Sequence, residues 1–303
     1  MGNGVFFDGR DGRDTKRVYA TVTGYLLLYF VLSRLFSLIG GACAGGGFAF
    51  LRYVLPPFAY LVPLFVSFSV SRGARLPLLS RPSGRGVWDA MPLLPLFLVA
   101  VTACAYLTGL AMDGLGIKAE GGAGAGLGFL PDLFLNCFVP ALLEELFFRG
   151  LLLSLLWQRL GRSAIWLSAV LFALAHGSLY QLPYAFVGGV FLSLAAVVSG
   201  SVFVPFLFHF LNNFLSLALQ YTPRAWAAGD VAVFLVYTVV AVAAIASFLY
   251  LAMRGDSPSG AGIRALFASP RESGRAVFEA TVATPHAIYV VLMLIMTVGR
   301  ALS

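Results

Sequence analysis

Two adjacent carboxylates and a guanidinium group lie within one apolar stretch of the sequence. The stretch runs from Leu133 to Trp157 and contains Glu144, Glu145 and Arg149. It is long enough to cross a bilayer, which takes about 20 mostly apolar residues. Ionisable side chains at that depth are energetically expensive and usually mark functional sites. These three residues are therefore the first candidates for chemistry.

The spacing of these three residues predicts a division of roles. Glu145 and Arg149 are four residues apart, so they can pair on one helix face and offset the burial of each charge. Glu144 lies about 100° around the helix from Glu145 and can point elsewhere. We therefore predict that Glu144 is a general base and that Glu145 and Arg149 give structural support. The alternative is that Glu144 belongs to a structural ion pair or a proton relay.

Two of the three histidines of the chain lie in the apolar stretches that follow. His176 is at a depth similar to that of Glu144, by a rise of about 1.5 Å per residue. His209 and Asn213 are four residues apart, so both lie on one helix face, where two such donors could stabilise an oxyanion. Polar residues at membrane depth face the bundle interior or a water-filled cavity. We therefore expect these groups to converge on an intramembrane cavity.

The composition predicts the helices that must position these residues. Of the 303 residues, 60% are hydrophobic and only 11% are charged, whereas soluble domains carry about 25% charged residues. We predict an all-α, polytopic transmembrane helix bundle of about 8–9 spans, with residues 18–303 as a single membrane domain and a motif core at about 135–220. The spans are approximately Val18–Ile39, Phe48–Val70, Pro92–Met112, Leu133–Trp157, Ser163–His176, Pro183–Ser199, Val202–Gln220, Val231–Met253 and Pro285–Gly299.

The basic residues between the spans predict the orientation of the chain in the membrane. With a cytoplasmic N-terminus, the polar residues 1–17 and the inner loops hold fourteen Lys and Arg residues, and the outer segments hold three. Cytoplasmic loops carry such an excess. We therefore predict a multi-pass integral membrane protein with the N-terminus in the cytoplasm. The basic residues form no stripe with aromatics between them, which argues against nucleic acid as a partner.

The linkers Gly114–Leu130 and Gly255–Arg275 are rich in glycine and look flexible.

Three short motifs on successive predicted spans together resemble one known family. They are Glu144-Glu145-x-x-x-Arg149, Phe172-x-x-x-His176 and His209-x-x-x-Asn213. In this order and at these spacings they look like the CPBP intramembrane protease family. This family includes the CAAX prenyl endopeptidases of type 2 and the bacteriocin-immunity relatives. The resemblance covers about residues 135–220, and the flanking spans are not diagnostic.

The resemblance implies hydrolysis of a peptide bond within the membrane, in a membrane-embedded or lipidated peptide substrate. Glu144 would activate water with help from His176, and His209 with Asn213 would stabilise the oxyanion. The family is often labelled metalloprotease, and Glu144, His176 and His209 could form a catalytic zinc site. There is no His-Glu-x-x-His motif, however, and an amide is among the polar partners. We therefore expect no cofactor, with zinc as the alternative.

Two other functions stay open from the sequence. The first is a non-catalytic membrane scaffold or bacteriocin-immunity protein of the same fold. The second is a transporter that uses Glu144 in proton transfer. Transporters typically show broken helices in matching positions of two related halves. The sequence shows no such halves, which makes the transporter the weaker of the two.

Overall fold

The computed structural model describes residues 15–42, 51–70, 77–117, 127–222, 227–268, 275, 278–279 and 284–302. Within this part of the chain every regular element is helical and none is a strand, which confirms the predicted all-α fold. The helices are α1 (Thr15–Ala42), α2 (Leu51–Val70), α3 (Gly84–Ala90), α4 (Leu93–Gly114), α5 (Phe129–Asp132), α6 (Val139–Glu145), α7 (Ser154–Leu160), α8 (Ser163–Ala175), α9 (Leu182–Ser199), α10 (Phe203–Tyr221), α11 (Ala227–Met253), α12 (Pro258–Phe267) and α13 (Thr284–Leu302).

Residues 129–160 form one continuous helix that contains α5, α6 and α7. It is called here the motif helix. Two π-helical segments, Leu133–Phe138 and Leu146–Leu153, separate these α-helical parts. A π turn holds more residues than an α turn and is frequent at functional sites. The short α6 carries both glutamates at its C-terminal end, directly before the second π segment. No residue pattern in this stretch predicts the π turns.

The helices correspond to the predicted membrane spans. Five are long and apolar enough to cross a bilayer by length and composition, and three apolar helices are shorter. Together with the motif helix, the described residues contain nine apolar helices, which equals the number of predicted spans. The multi-pass membrane architecture is therefore confirmed, and helix ends differ from the predicted ones by a few residues. The five long spans are Val18–Ala42, Leu93–Gly114, Leu182–Ser199, Phe203–Tyr221 and Asp230–Met253; the shorter helices are Val54–Ser67, Ser163–Ala175 and Ala287–Val298.

Hydrogen bonds join segments that the alternating topology assigns to the same side of the membrane. On the predicted cytoplasmic side, the Ser80 hydroxyl donates to the Gly200 carbonyl at 3.0 Å, and the Ser201 hydroxyl donates to the Ser80 carbonyl at 2.7 Å. On the opposite side, the Tyr221 hydroxyl donates to Oδ2 of the fully buried Asp132 at 2.6 Å. The last of these bonds fixes the end of α10 against the start of the motif helix.

The tightest helix contact on which the site depends is between α8 and α9. A Cβ on Gly189 would lie 2.9 Å from the Ala169 Cα, which is closer than real Cβ atoms come. Small residues allow helix backbones to approach in this way within membranes. The contact brings the Gly189 carbonyl of α9 into the interior of the bundle.

The prediction of a flexible linker at Gly255–Arg275 is wrong for its first half. Helix α12 begins there, because the Ser257 side chain accepts a hydrogen bond from the Gly260 N–H and Pro258 occupies the first helical turn. These are strong signals for a helix start. The helix buries Leu266 and packs against α9. Residues 118–126 of the other linker and residues 1–14 of the N-terminus lie outside the described residues.

Candidate active site

The centre of the candidate site is the predicted pair of Glu145 and Arg149. Arg149 Nη1 donates to Glu145 Oε1 at 2.8 Å, and both side chains are fully buried. Two unit charges in such an environment persist only when they are paired and hydrogen-bonded. Local spacing along the motif helix therefore produces the pair, as the sequence predicts.

Arg149 has two further partners on other helices. Its Nη2 donates to the Gly189 carbonyl of α9 at 3.2 Å. Its guanidinium carbon lies 4.2 Å from the centre of the Phe172 ring of α8, a cation–π contact. Arg149 thus joins the motif helix to α8 and α9, and it holds Glu145 in a single orientation.

His209 of α10 binds the same carboxylate oxygen as Arg149. Its Nδ1 lies 2.9 Å from Glu145 Oε1, across 64 positions of sequence. A carboxylate that is paired with an arginine is ionised and can only accept, so Nδ1 must carry the proton. The other ring nitrogen, Nε2, then faces Glu144. The sequence predicts His209 as a site residue but does not predict that Glu145 anchors it.

Glu144 is the carboxylate that keeps an unbonded oxygen beside this network. Its Oε2 lies 3.9 Å from His209 Nε2, beyond the range of a direct hydrogen bond. Among the described residues this buried oxygen has no hydrogen-bond partner, and the same holds for Oε2 of Glu145. The two glutamates differ in access, because the Glu144 side chain is 14% exposed and the Glu145 side chain is not exposed. Part of the Glu144 side chain is therefore accessible, and no part of the Glu145 side chain is.

His176 lies at the C-terminal end of α8, on the other side of Phe172. The Phe172 ring centre is 4.8 Å from that of His176 and 5.9 Å from that of His209, nearly perpendicular to both. His176 Nδ1 bonds the Phe172 carbonyl at 2.9 Å. A carbonyl only accepts, so Nδ1 carries the proton in His176 as well. In both histidines, Nε2 is the nitrogen left for chemistry.

Asn213 lies one helical turn after His209 on α10, as predicted. Its described hydrogen bond is with its neighbour, since Asn212 Nδ2 donates to Asn213 Oδ1 at 3.4 Å. The structure therefore brings Glu144, Glu145, Arg149 and His209 into one cluster, and Phe172 connects His176 to it. Asn213 lies close to His209 along α10, but it makes no contact with these groups within the described part of the chain.

Several residues around the site were not predicted to contribute to it. Phe172 is part of a motif, but its contacts with Arg149 and both histidines are visible only in three dimensions. Gly189 has no side chain that could indicate a role, and its backbone carbonyl accepts a hydrogen bond from Arg149. Tyr29 and Tyr60, on the first two spans, lie beside the motif helix; aromatic residues in apolar helices give no local signal of such a position.

A zinc site is the predicted alternative to a mechanism without a cofactor. Within the described part of the chain, no group of three or more His, Cys, Asp and Glu residues is arranged to hold a metal ion. Glu144 and His209 approach each other, but His176 does not complete a third ligand position with them. A catalytic zinc needs three protein ligands, and the assignment of Glu144, His176 and His209 to that role stays a prediction.

Comparison with known proteins identifies the same part of the chain. Residues 126–215 match the family described as Type II CAAX prenyl endopeptidase Rce1-like. The matched region contains all three motifs and confirms the resemblance to the CPBP family of intramembrane proteases. Neither the curated proteins nor the solved structures contain a match to the chain. The match covers less than a third of the chain.

Proposed function

We propose that this protein is an intramembrane endopeptidase of the CAAX type in which Glu144 activates the attacking water. The observation that carries the proposal is the position of Glu144 Oε2. This oxygen is buried without a hydrogen-bond partner among the described residues, and it lies 3.9 Å from His209 Nε2. A buried acceptor without a partner is unfavourable unless something binds there.

A single water fits between these two atoms. Two hydrogen bonds of about 2.8 Å to atoms 3.9 Å apart meet at about 90°, which a water molecule can accommodate. In the proposed reaction, Glu144 takes a proton from this water, and the oxygen attacks the carbonyl carbon of the scissile peptide bond. When the tetrahedral intermediate collapses, the carbon–nitrogen bond breaks and Glu144 returns the proton to the leaving amine. General base catalysis of this kind contributes about 10²- to 10⁴-fold to the rate.

His209 stabilises the oxyanion in this proposal, and this role requires its protonated form. Nδ1–H is committed to Glu145, so a neutral ring presents only a lone pair at Nε2. An Nε2–H donor to the oxyanion exists only when both ring nitrogens carry a proton. Asn213 supplies a second donor when substrate binds, and His176 assists through Nε2. Glu145 and Arg149 hold His209 in place.

The proposed mechanism uses no metal, and the substrate enters the site from the cytoplasmic side. The N-terminus is in the cytoplasm, and the motif helix ends near Arg159 and Arg162 at the inner membrane edge. A membrane-embedded or lipidated peptide would enter from there. Glu144, His176 and His209 remain the residues that would bind zinc if a metal is required.

The test is hydrolysis of a library of prenylated and unprenylated peptides by the purified protein in proteoliposomes. Glu144→Gln and Glu144→Ala should lower kcat by at least 10²-fold, since they remove the base but not its surroundings. Glu279→Gln is the matched control, because Glu279 is an exposed carboxylate paired with Arg275 outside the site. It should leave kcat unchanged.

Two outcomes would refute the proposal. The first is hydrolysis at the wild-type rate by Glu144→Ala. The second is a folded wild-type protein that cleaves no peptide in the library while an immunity or binding phenotype survives Glu144→Ala. That second result favours the non-catalytic scaffold of the same fold.

A further inference from the structure

We propose that Tyr60 is a positioning residue of the active site, which holds the Glu144 carboxylate through its phenol hydroxyl. The inference rests on the proposed function, because it assigns a partner to the proposed base. Tyr60 lies on α2, outside residues 126–215, so the family match does not include it. The helices around the motif core would then contribute to the chemistry and not only to packing.

Tyr60 belongs to a buried pair of hydroxyl groups. Its hydroxyl oxygen lies 2.9 Å from that of Tyr29 on α1, and the two rings stack with centroids 4.4 Å apart. Both side chains are more than nine-tenths buried. Two phenylalanines would fill the same space without placing polar atoms in the interior. The hydroxyls therefore need a reason beyond packing.

The tyrosine pair lies along the face of the motif helix that carries Glu144. The Tyr60 ring centroid is 5.6 Å from that of Phe147 and 6.4 Å from that of Phe148. These two phenylalanines come about one helical turn after Glu144, so the three side chains share a side of the helix. Helix α2 also packs directly on α6, which ends at the glutamates.

The Tyr60 hydroxyl has a proton to donate, and the Glu144 carboxylate has an oxygen to accept it. The pair of hydroxyls has two protons, and their mutual bond uses one. When Tyr29 is the donor in that bond, the Tyr60 proton is available for an acceptor on the adjoining helix. Glu144 Oε2 is a buried acceptor without a partner among the described residues, and a carboxylate oxygen can accept from both the proposed water and Tyr60. A Tyr60–Glu144 interaction through one water would satisfy both groups and orient the carboxylate.

The experiment compares three Tyr→Phe variants of the full chain in proteoliposomes. Tyr60→Phe keeps the ring and removes the hydroxyl, and it should lower kcat about tenfold with little change in KM, as expected for one lost hydrogen bond to a charged group. Tyr29→Phe should have a smaller effect, because Tyr60 keeps its own proton. Tyr289→Phe is the matched control: this hydroxyl is fully buried and has no hydrogen-bond partner in the described part of the chain, so kcat should not change.

A second readout does not depend on activity. The unfolding midpoint in detergent is measured for Tyr60→Phe in the wild-type and in the Glu144→Ala background. If the hydroxyl acts on Glu144, the shift caused by Tyr60→Phe should be at least halved in the Glu144→Ala background. Equal shifts in the two backgrounds, or an unchanged kcat in Tyr60→Phe while Glu144→Ala is inactive, would overturn the inference and leave the proposed function standing. Absence of hydrolysis by the wild type would refute the proposed function, and the midpoints would still decide whether Tyr60 acts on Glu144.

Discussion

Removal of Arg149 should destabilise the protein strongly, and removal of a nearly identical surface arginine should not. Arg149 and Glu145 pair at 2.8 Å with both side chains fully buried. Loss of one partner from a buried pair costs about 3–5 kcal/mol, because the other charge is left uncompensated. Arg275 and Glu279 have the same i, i+4 spacing and a 2.7 Å contact, but their side chains are 82% and 60% exposed. Arg149→Met should therefore lower the free energy of unfolding by about 3–5 kcal/mol, while Arg275→Met should leave the unfolding midpoint unchanged.

A double variant separates the stabilising role of the pair from its role in catalysis. Glu145→Leu with Arg149→Met replaces the whole pair by apolar side chains, which is often neutral or stabilising for a buried ion pair. Stability should recover relative to Arg149→Met alone. Activity should not recover, because His209 Nδ1 loses its acceptor. A hydrogen bond to a charged group contributes about 1.5–3 kcal/mol, so kcat should fall about 10- to 150-fold.

Both quantities can be measured on the same preparations. Unfolding is followed in mixed micelles as denaturing detergent is added, and kcat is measured in proteoliposomes on a peptide that the wild type cleaves. If the double variant is as unstable as Arg149→Met, the uncompensated charge is not the source of the loss. If the double variant keeps the wild-type kcat, the anchoring of His209 by Glu145 has no part in catalysis.

Three further predictions concern helix contact, metal and topology. Gly189→Ala should lower both stability and kcat, because its Cβ would meet the Ala169 backbone at 2.9 Å and displace the carbonyl that binds Arg149. Gly188→Ala is the control and should be tolerated, because its Cβ would have contacts of 3.4 Å or more. Hydrolysis should persist after prolonged treatment with a chelator, and activity that chelator abolishes and zinc restores would establish a metal enzyme. In a cysteine-free background, a cysteine at the exposed position of Arg85 should resist an impermeant thiol reagent added outside intact cells, and strong labelling would reverse the predicted orientation.

The elements that the sequence predicts well are those set by local spacing and composition. Apolar stretches of bilayer length predict the spans, because helices are the structures that satisfy every backbone group in lipid. The i, i+4 spacing predicts the pairing of Glu145 with Arg149, since both lie on one helix face. These inferences need no knowledge of how the helices pack against each other.

The contacts that organise the site join distant parts of the chain and could not be predicted in this way. The bond between His209 and Glu145 spans 64 positions, and the sequence offers Glu144 and Glu145 as equally plausible partners. The approach of the Gly189 carbonyl to Arg149 depends on how closely α8 and α9 pack. No residue type in the sequence indicates the two π-helical segments of the motif helix. The glycines of α12 are typical of a linker, although Ser257 and Pro258 are typical of a helix start.

The two adjacent glutamates are not interchangeable, and the reason is physical. Oε1 of Glu145 already accepts hydrogen bonds from Arg149 and His209, and its side chain has no surface that water can reach. Transfer of a proton to Glu145 would weaken both bonds and leave Arg149 uncompensated in the bundle interior, which is costly. Glu144 has no such partner to lose among the described residues, and part of its side chain is exposed. Glu144 can therefore gain and lose a proton without disturbing the hydrogen bonds that hold His209. A general base in this site requires this property.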